Sequence, residues 1–329
     1  MGRSKRDLMS NYARTPLAAV IALGAGLAAS GVFLYAFLKL HSRIMNRLGP
    51  MYAGRFHGVG QPIAEVIKPI QKEDIIPTAA DRPVFKLAPV IALLSSFLLL
   101  AVIPVGPGLV VANLDLGLFY LLAISGLAAI AVVMAAYGSQ SKFTLIGGLR
   151  AVGQIIAYEL PIVLAAAAIA MLAGTLSLTQ IVQAQHLPFA IWPFPFGAIA
   201  FVMLLLSSFA EVMWQPFDMP MAESEIISGH LTEYSGMRFI FFYMSEFVHV
   251  VAFCAIVTIL FLGGWRGPVL PPVVWFLVKA AAVSVFFIWI RFTLPRLRED
   301  QLQRFAWKVL IPLGLLNVLG IALFKVLTA

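Results

Sequence analysis

Residues 238–263 read RFIFFYMSEFVHVVAFCAIVTILFLG, and Arg238, Glu246 and His249 are the only charged or histidine side chains among them. Crossing the hydrocarbon core of a bilayer takes about 20 mostly apolar residues in a helix. Lipid offers the backbone no hydrogen-bond partners, so an apolar run of this length must satisfy its own N–H and C=O groups as a helix. The stretch therefore predicts a transmembrane helix that carries a carboxylate.

Seven further apolar runs flank this one, which predicts about eight transmembrane helices. Their approximate bounds are 16–38, 84–105, 116–137, 153–174, 190–209, 271–291 and 306–327. The chain is 61% hydrophobic and 12% charged, and soluble domains carry about twice that charge. The predicted fold class is an all-α integral membrane protein, with residues 1–329 in a single polytopic membrane domain. The first run is longer than the apolar core of a signal peptide, so we expect it to be retained.

The cysteine and histidine content limits the cofactor chemistry of the chain. Its one cysteine, Cys254, excludes an internal disulfide and a cysteine-ligated cluster, and its five histidines are scattered without metal-binding spacing. Nucleotide, flavin and Fe–S motifs are also absent from the sequence. We therefore predict that this chain alone binds no cofactor or metal. Its net charge of +8 indicates topology and anionic lipid headgroups rather than nucleic acid.

Lys and Arg residues are divided unevenly between the two sides that eight spans create. Sixteen of the 23 lie on the side of the first, third, fifth and seventh connections, six lie on the side of the termini, and Lys279 lies inside a span. Connections rich in Lys and Arg stay in the cytoplasm. We predict a multi-pass protein of the bacterial cytoplasmic (inner) membrane whose long loops lie in the cytoplasm. The basic N-terminus argues against this orientation, because it would lie on the opposite side.

The acidic residues are concentrated in one connection, residues 210–237. This segment has no Lys or Arg and holds five of the chain's fifteen acids, namely Glu211, Asp218, Glu223, Glu225 and Glu233. Carboxylates this close titrate as a coupled group, so a nearby change of charge moves protons among them. The alternative is a simple solvated loop, but the interleaved Met and aromatic residues favour a partly buried segment with a function.

Two acids and one lysine lie well inside predicted spans. Glu159 lies about six residues into the fourth run, about 9 Å below its start, and Glu246 lies three positions before His249 on one helical face. An ionised carboxylate in lipid costs several kcal/mol, so such groups are protonated, paired or hydrated. We predict a proton path through both acids, with Lys279 as a candidate ionic partner for one of them. The alternatives are that Glu159 extends its carboxylate to the membrane interface and that Glu246 and His249 form a purely structural pair.

The first connection contains an amphipathic segment, GVGQPIAEVIKPIQKED, at residues 58–74. Its isoleucines and Val66 share one face, and its charged residues lie off that face. This pattern predicts a helix lying on the membrane interface. The sequence leaves open whether the helix borders a substrate entrance or only anchors the surface.

Several motifs together resemble a known family, the quinone-side membrane subunits of complex I, the proton-pumping NADH:quinone oxidoreductase. The resemblance covers nearly the whole chain. It rests on AEVMWQPFDMPMAESE at 210–225, TEYSGM at 232–237, SKFTLIGGLRA at 141–151, YE at 158–159, LGGW at 262–265 and TLPRLREDQL at 293–302.

The resemblance implies a fold and a role within that enzyme. A subunit of this family joins the peripheral arm to the membrane arm and forms part of the quinone chamber. Residues 210–237 would be an acid-rich cytoplasmic quinone-side loop, Glu159 and Glu246 would begin the proton path, and Arg150, Arg291 and Arg296 would be basic partners. Quinone would be the substrate, with FMN and Fe–S clusters on partner subunits. The chain would carry no catalytic residue of its own.

The chain departs from the family pattern in three places. Met213 and Trp214 stand where the family has Asn-Arg, Met221 replaces an acid, and Met51 and Tyr52 interrupt the family's GPNRVGP stretch, which Arg55 partly restores. These departures predict altered contacts at the quinone site or with the peripheral arm. The residues leave two other functions open. One is a membrane anchor of a related energy-converting hydrogenase, although members of that group lack the combination of PFD, AESE and TEYSGM motifs. The other is a stand-alone transporter or a purely structural anchor.

Overall fold

The computed structural model describes residues 5–328 except 55, 186–191 and 222, and of residues 5–23, 223 and 224 it describes the backbone alone. Within these residues the fold is all-helical. The helices are α1 (Lys5–Ile44), α2 (Gln61–Ile70), α3 (Arg82–Ala101), α4 (Gly117–Gly138), α5 (Lys142–Ala173), α6 (Leu178–Ala184), α7 (Phe196–Glu211), α8 (Glu223–Ile226), α9 (Gly236–Phe261), α10 (Pro272–Thr293), α11 (Glu299–Phe305) and α12 (Ile311–Thr328).

The predicted fold class is confirmed. Among the described residues, seven helical stretches are long and apolar enough to cross a membrane, and the shorter apolar helix α7 makes the eighth. Helices α11 and α12 form one of these stretches because a π-helical turn, Ala306–Leu310, joins them. Pro312 follows that turn and has no N–H to donate, which is a common cause of such a local widening.

Helix α9 is the centre of the bundle. Of its most apolar 18 residues, 83% are buried, whereas the other spans bury half or less. It packs against α1, α3 and α10, and its apolar side chains point in all directions. A helix that is hydrophobic all round suits a membrane span, and its high burial places α9 in the interior of the bundle. His249 on α9 is therefore buried within the protein, and Glu246 is partly buried, with 19% of its side chain exposed.

Helix α5 corrects the predicted boundary of the fourth span. It begins at Lys142, eleven residues before the predicted start at 153, and so includes the Gly147–Gly148 pair and Arg150. The two glycines permit close packing instead of forming a loop. A Cβ atom on Gly148 would overlap the Cβ of Ala136 on α4, and one on Gly147 would lie 2.6 Å from the Cα of Gly229.

The amphipathic segment of the first connection forms α2, which spans ten residues instead of the predicted seventeen. None of its residues is buried, and Ile63, Ile67 and Ile70 are exposed. The helix packs against α1 and α9 and leaves its isoleucines on the surface. This arrangement suits a helix that lies at a membrane interface.

Candidate functional site

The candidate site lies at one end of the bundle, where alternate helices end or begin. The C-terminal ends of α1, α7 and α10 meet the N-terminal halves of α5 and α9 there. In an antiparallel bundle these ends all belong to the side that carries the first, third, fifth and seventh connections. The acidic segment, residues 210–237, starts at this end, because α7 finishes at Glu211.

Gln154 on α5 holds the start of the acidic segment in place. Its side-chain Nε2 donates hydrogen bonds to the carbonyl oxygen of Ala210 at 2.8 Å and to that of Phe217 at 2.7 Å. The backbone N–H of Leu297 donates to the carbonyl of Pro216 at 3.1 Å. The chain therefore folds back across the end of the bundle, which agrees with a partly buried segment and not with a solvated loop.

Trp214 is buried within this folded segment, with 2% of its surface exposed. Its indole Nε1 donates a hydrogen bond to Glu246 Oε1 on α9 at 2.5 Å. The indole ring stacks on Phe33 of α1, with the ring centroids 6.0 Å apart, and it also contacts Phe37. The segment is thereby connected to a carboxylate inside the bundle.

Arg291, near the end of α10, is the basic residue beside Glu246. The Arg291 Nη1 atom lies 3.6 Å from Glu246 Oε1, which makes an ion pair without a hydrogen bond. The guanidinium carbon lies 4.1 Å from the centroid of the Trp214 ring and 4.9 Å from that of Phe37. Aromatic faces attract such a cation, so Arg291 is held by the rings as well as by the acid.

A cavity of about 80 Å³ lies between the segment and helices α3, α4, α5 and α9. Its ionisable and hydroxyl-bearing lining comes from Glu211, His230, Ser245, Glu246 and His249. Glu211 is buried, and its Oε2 has no hydrogen-bond donor among the described residues. Glu159 lies close enough to Glu211 for their charges to repel. The site thus brings three acids together: Glu246 and Glu211 share a cavity, and Glu159 lies beside Glu211.

His230 enters this cavity from the short 3₁₀ helix of the acidic segment, Gly229–Leu231. It is 4% exposed, and its ring packs edge-on against Phe242, with centroids 5.8 Å apart. Burial disfavours the charged imidazolium and lowers the pKa of His230 to about 4. The histidine is therefore neutral at physiological pH and can exchange a proton only if its surroundings change.

Glu225 occupies a different environment, at the protein surface. Its carboxylate accepts a hydrogen bond from Arg150 Nη1 at 2.6 Å, and Arg150 also lies 3.6 Å from Glu299. The hydrogen bond from Arg150 is the main reason that the pKa of Glu225 is lowered, and Arg296 adds a second favourable charge. Arg150 and Arg296 therefore interact with acids at the surface, whereas Arg291 forms an ion pair with Glu246.

The five acids of the segment do not share one environment. Glu211 is buried at the cavity, Glu225 is exposed, and Asp218 and Glu233 are half-buried. The side chain of Glu223 lies outside the part of the chain that the structure describes, as does Arg55. Of the departures from the family pattern, Met221 lines the cavity, Met213 has a left-handed backbone (φ 57°), and Tyr52 is fully exposed.

Lys279 corrects one prediction. Its ammonium donates hydrogen bonds to the carbonyls of Leu262 and Arg266, each at 2.6 Å, just beyond the C-terminal end of α9. Leu262 follows Glu246 by sixteen residues, which is about 24 Å along a helix. The sequence makes Lys279 a candidate partner for either Glu159 or Glu246; among the described residues, the ion pair of Glu246 is with Arg291 instead. The lysine supplies donors to carbonyls that the ending helix leaves open.

Two contributors to the site were not predicted from the sequence. Gln154 is a polar residue in an apolar helix, and in membrane proteins such a residue faces the interior and finds partners; that signal was available. Trp214 gave no such signal, because an aromatic residue in an apolar setting is equally suited to simple packing. Its hydrogen bond to Glu246 joins residues 32 positions apart, and sequence spacing does not report contacts of that kind.

Comparisons with known proteins agree with one another. A family model described as NADH dehydrogenase matches residues 17–322. A protein from Dehalococcoides mccartyi, named as the H subunit of NADH-quinone oxidoreductase, is 44% identical over 310 residues, covering 94% of this chain and 86% of the relative. Proteins of the same name from Syntrophotalea carbinolica and Geobacillus kaustophilus are 45% identical (91% of this chain, 92% of the relative) and 44% identical (87% and 86%).

Proposed function

The chain belongs to the family of the H subunit of NADH-quinone oxidoreductase, and from this membership we propose that it is a membrane-arm component of a complex I-type, proton-pumping NADH:quinone oxidoreductase. The acidic segment, residues 210–237, forms part of the wall of the quinone chamber on the cytoplasmic side. Glu211, Glu159 and Glu246 form the start of the path that couples quinone chemistry to proton movement.

One observation carries this proposal: Glu211 and Glu246 line the same cavity, directly beneath the folded segment. Isolated carboxylates in the membrane interior are costly and are kept where they have a function. Glu159 lies beside Glu211, so a proton that binds to one of these acids changes the energy of ionising the other. The group can therefore pass a change of charge from the segment toward the middle of the bundle.

The mechanism follows from electrostatics. Reduction of a quinone near the segment brings electrons to a neutral ring, and the added negative charge raises the proton affinity of nearby carboxylates. The acids of the segment take up protons in response. Arg291 and Trp214 hold Glu246 at the inner end, so the shift in charge reaches the bundle interior through the cavity and not through lipid.

The redox groups of such an enzyme reside on other subunits. FMN and Fe–S clusters would lie in the peripheral arm, and quinone would be the substrate at the junction between the arms. Arg150, Glu225 and Glu299 form ion pairs near the surface at the same end of the bundle as the segment. Their exposed charges suit the docking of a soluble arm, and the remaining surface suits neighbouring membrane subunits and lipid.

The names of the relatives do not favour the alternative function, a membrane anchor of an energy-converting hydrogenase. Co-purification distinguishes the two. A tagged chain should bring down subunits that carry flavin and Fe–S clusters, and recovery of a nickel–iron subunit instead would refute the proposal.

The mechanistic test uses Glu211→Gln and Glu246→Gln in the assembled complex. Each should reduce NADH:quinone turnover and proton translocation, and each should leave NADH oxidation by a water-soluble acceptor unchanged, because that acceptor takes electrons before the quinone. Asp115→Asn is the matched control, since Asp115 is an exposed acid in the connection between α3 and α4, at the opposite end of the bundle. Wild-type pumping in both glutamine variants would refute the proposed path.

A further inference from the structure

Trp214, Glu246 and Arg291 form a compact group that links three parts of the chain. Trp214 belongs to the acidic segment, Glu246 to α9 and Arg291 to α10. Glu246 Oε1 accepts a hydrogen bond from the Trp214 indole at 2.5 Å, and the same oxygen lies 3.6 Å from Arg291. The indole ring also packs against the guanidinium, 4.1 Å from ring centroid to carbon. Each member therefore contacts both others.

The contacts to Glu246 differ in kind. Arg291 lies beyond hydrogen-bond distance and attracts the carboxylate mainly by charge, whereas the indole N–H points at the oxygen and fixes where it lies. Among the described residues, the hydrogen bond that this oxygen accepts comes from Trp214. Loss of that donor would free the carboxylate to rotate.

Trp214 is also fixed to the segment from which it comes. Its backbone N–H donates to the carbonyl of Phe209, and its own carbonyl accepts from Phe217, whose carbonyl Gln154 holds. The indole is rigid and packs against Phe33 and Phe37 of α1. A displacement of residues 210–217 therefore moves the indole, and with it the donor on Glu246.

Direct contact with substrate is a poor explanation for this tryptophan. Only 2% of Trp214 is exposed, so little of its surface is available to a ligand. The related family pattern has an arginine at this position, and an arginine would place a second cation beside Arg291. The indole supplies a neutral donor and an aromatic face instead, so the group has one positive and one negative charge.

We propose that Trp214 is a positioning residue that ties the acidic segment to Glu246, so that movement of the segment withdraws or restores the donor on this carboxylate. The proposal rests on the proposed function, because it takes Glu246 to be part of the proton path. It assigns the altered residue of this chain a role in coupling and none in the binding of quinone.

The test compares Trp214→Phe with Trp192→Phe in the assembled complex. Both changes keep an aromatic ring and remove an indole hydrogen bond, since Trp192 donates to the carbonyl of Leu260 at 2.7 Å, away from the acids. Trp214→Phe should lower kcat for coupled quinone reduction about tenfold, the size expected for losing one hydrogen bond to a charged group. The KM for quinone and the reduction of a water-soluble acceptor should not change. Trp192→Phe should stay within about twofold of wild type.

A double-variant comparison tests whether Trp214 acts through Glu246. In a Glu246→Gln background, Trp214→Phe should add no further loss, because residues that act as a unit are non-additive. If the Trp214→Phe complex does not assemble, Glu246→Asp decides the question: the shorter side chain keeps its charge but withdraws from the indole, and kcat should fall in the same way.

Three results would overturn the inference: Trp214→Phe with the kinetics of Trp192→Phe, a raised KM with unchanged kcat, or losses that multiply in the double variant. For the substitute variant, Glu246→Asp with wild-type kcat would do the same. Wild-type coupling in Glu246→Gln would instead remove the proposed function on which the inference rests. An impaired Glu246→Gln beside a wild-type Trp214→Phe would leave that function standing and overturn the inference alone.

Discussion

Replacement of Gln154 by methionine should loosen the acidic segment without changing the rest of the bundle. Methionine matches glutamine in length and shape but has no donor, so both hydrogen bonds to the segment are lost. The carbonyls of Ala210 and Phe217, now held at 2.8 and 2.7 Å, would be left without that partner. Gln154 is 1% exposed, so water does not readily replace the lost donors.

The magnitude follows from these contacts. The Ala210 carbonyl keeps its hydrogen bond from the Met213 N–H at 3.1 Å, so the Phe217 carbonyl is the one that loses its donor. A buried polar group left without its partner costs about 1–3 kcal/mol. That energy appears as easier local opening of residues 210–217, a factor of about 5 to 150 in the population of the open form. Amide hydrogen exchange measures this population directly. The amides of Met213, Trp214 and Phe217 report it, because each donates within the folded segment.

Gln185→Met is the matched control. Gln185 is also buried, and its Nε2 donates to the carbonyls of Ile259 and Leu260 at 2.7 and 3.3 Å, far from the segment. It should leave exchange in residues 210–217 at the wild-type rate. If Gln154→Met also left that exchange unchanged, the view that Gln154 holds the segment in place would be refuted.

Three further predictions concern other parts of the site. Acidification from pH 6.5 toward 4 should destabilise the fold around His230 by up to about 3 kcal/mol, because His230 binds a proton in this range in the unfolded chain but, with its pKa lowered to about 4, stays neutral in the folded one. His230→Phe should therefore reduce the fall in thermal stability between pH 7 and pH 5, and an unchanged fall would contradict the burial of a neutral His230. Gly148→Ala should cost about 1–3 kcal/mol by overpacking α5 against α4, whereas Gly153→Ala, whose new Cβ would meet only a side chain at 3.4 Å, should be neutral in the same thermal assay. Arg150→Gln should leave thermal stability unchanged, since its partner Glu225 is half exposed; a large loss would show that the pair is more buried in the complex than in this chain.

The sequence was a good guide to the fold because apolar length decides it. Runs of about 20 apolar residues marked all eight spans, including the short α7. It was a poorer guide to boundaries. The Gly147–Gly148 pair lies outside the predicted fourth span, 153–174, yet both glycines are within α5, where the approach of α4 and of Gly229 requires them. Tertiary packing, which one sequence does not display, overrode the local preference.

The site was predictable in its charges and less so in its contacts. Acids inside apolar runs are expensive, so Glu159 and Glu246 could be selected from cost alone, whereas Glu211 was selected as a member of the acidic segment. The structure brings the three together at one end of the bundle. The partner of a buried lysine could not be found that way. Lys279 donates to backbone carbonyls near the end of α9. Backbone carbonyl oxygens can accept hydrogen bonds from an ammonium group in place of a carboxylate, and every residue has one, so the sequence does not show which of them a lysine will contact.

The shortness of α7 has a consequence for how a substrate arrives. Its sixteen residues span about 24 Å, whereas the hydrocarbon core is about 30 Å thick. The non-helical segment that follows Glu211 is therefore within reach of the depth of the lipid acyl chains, where irregular backbone is tolerated only because protein groups such as Gln154 satisfy it. If this segment forms part of the quinone chamber, as proposed, a hydrophobic substrate would reach it by two-dimensional diffusion within one leaflet. Its supply would then depend on how strongly it partitions into the bilayer and not on its solubility in water.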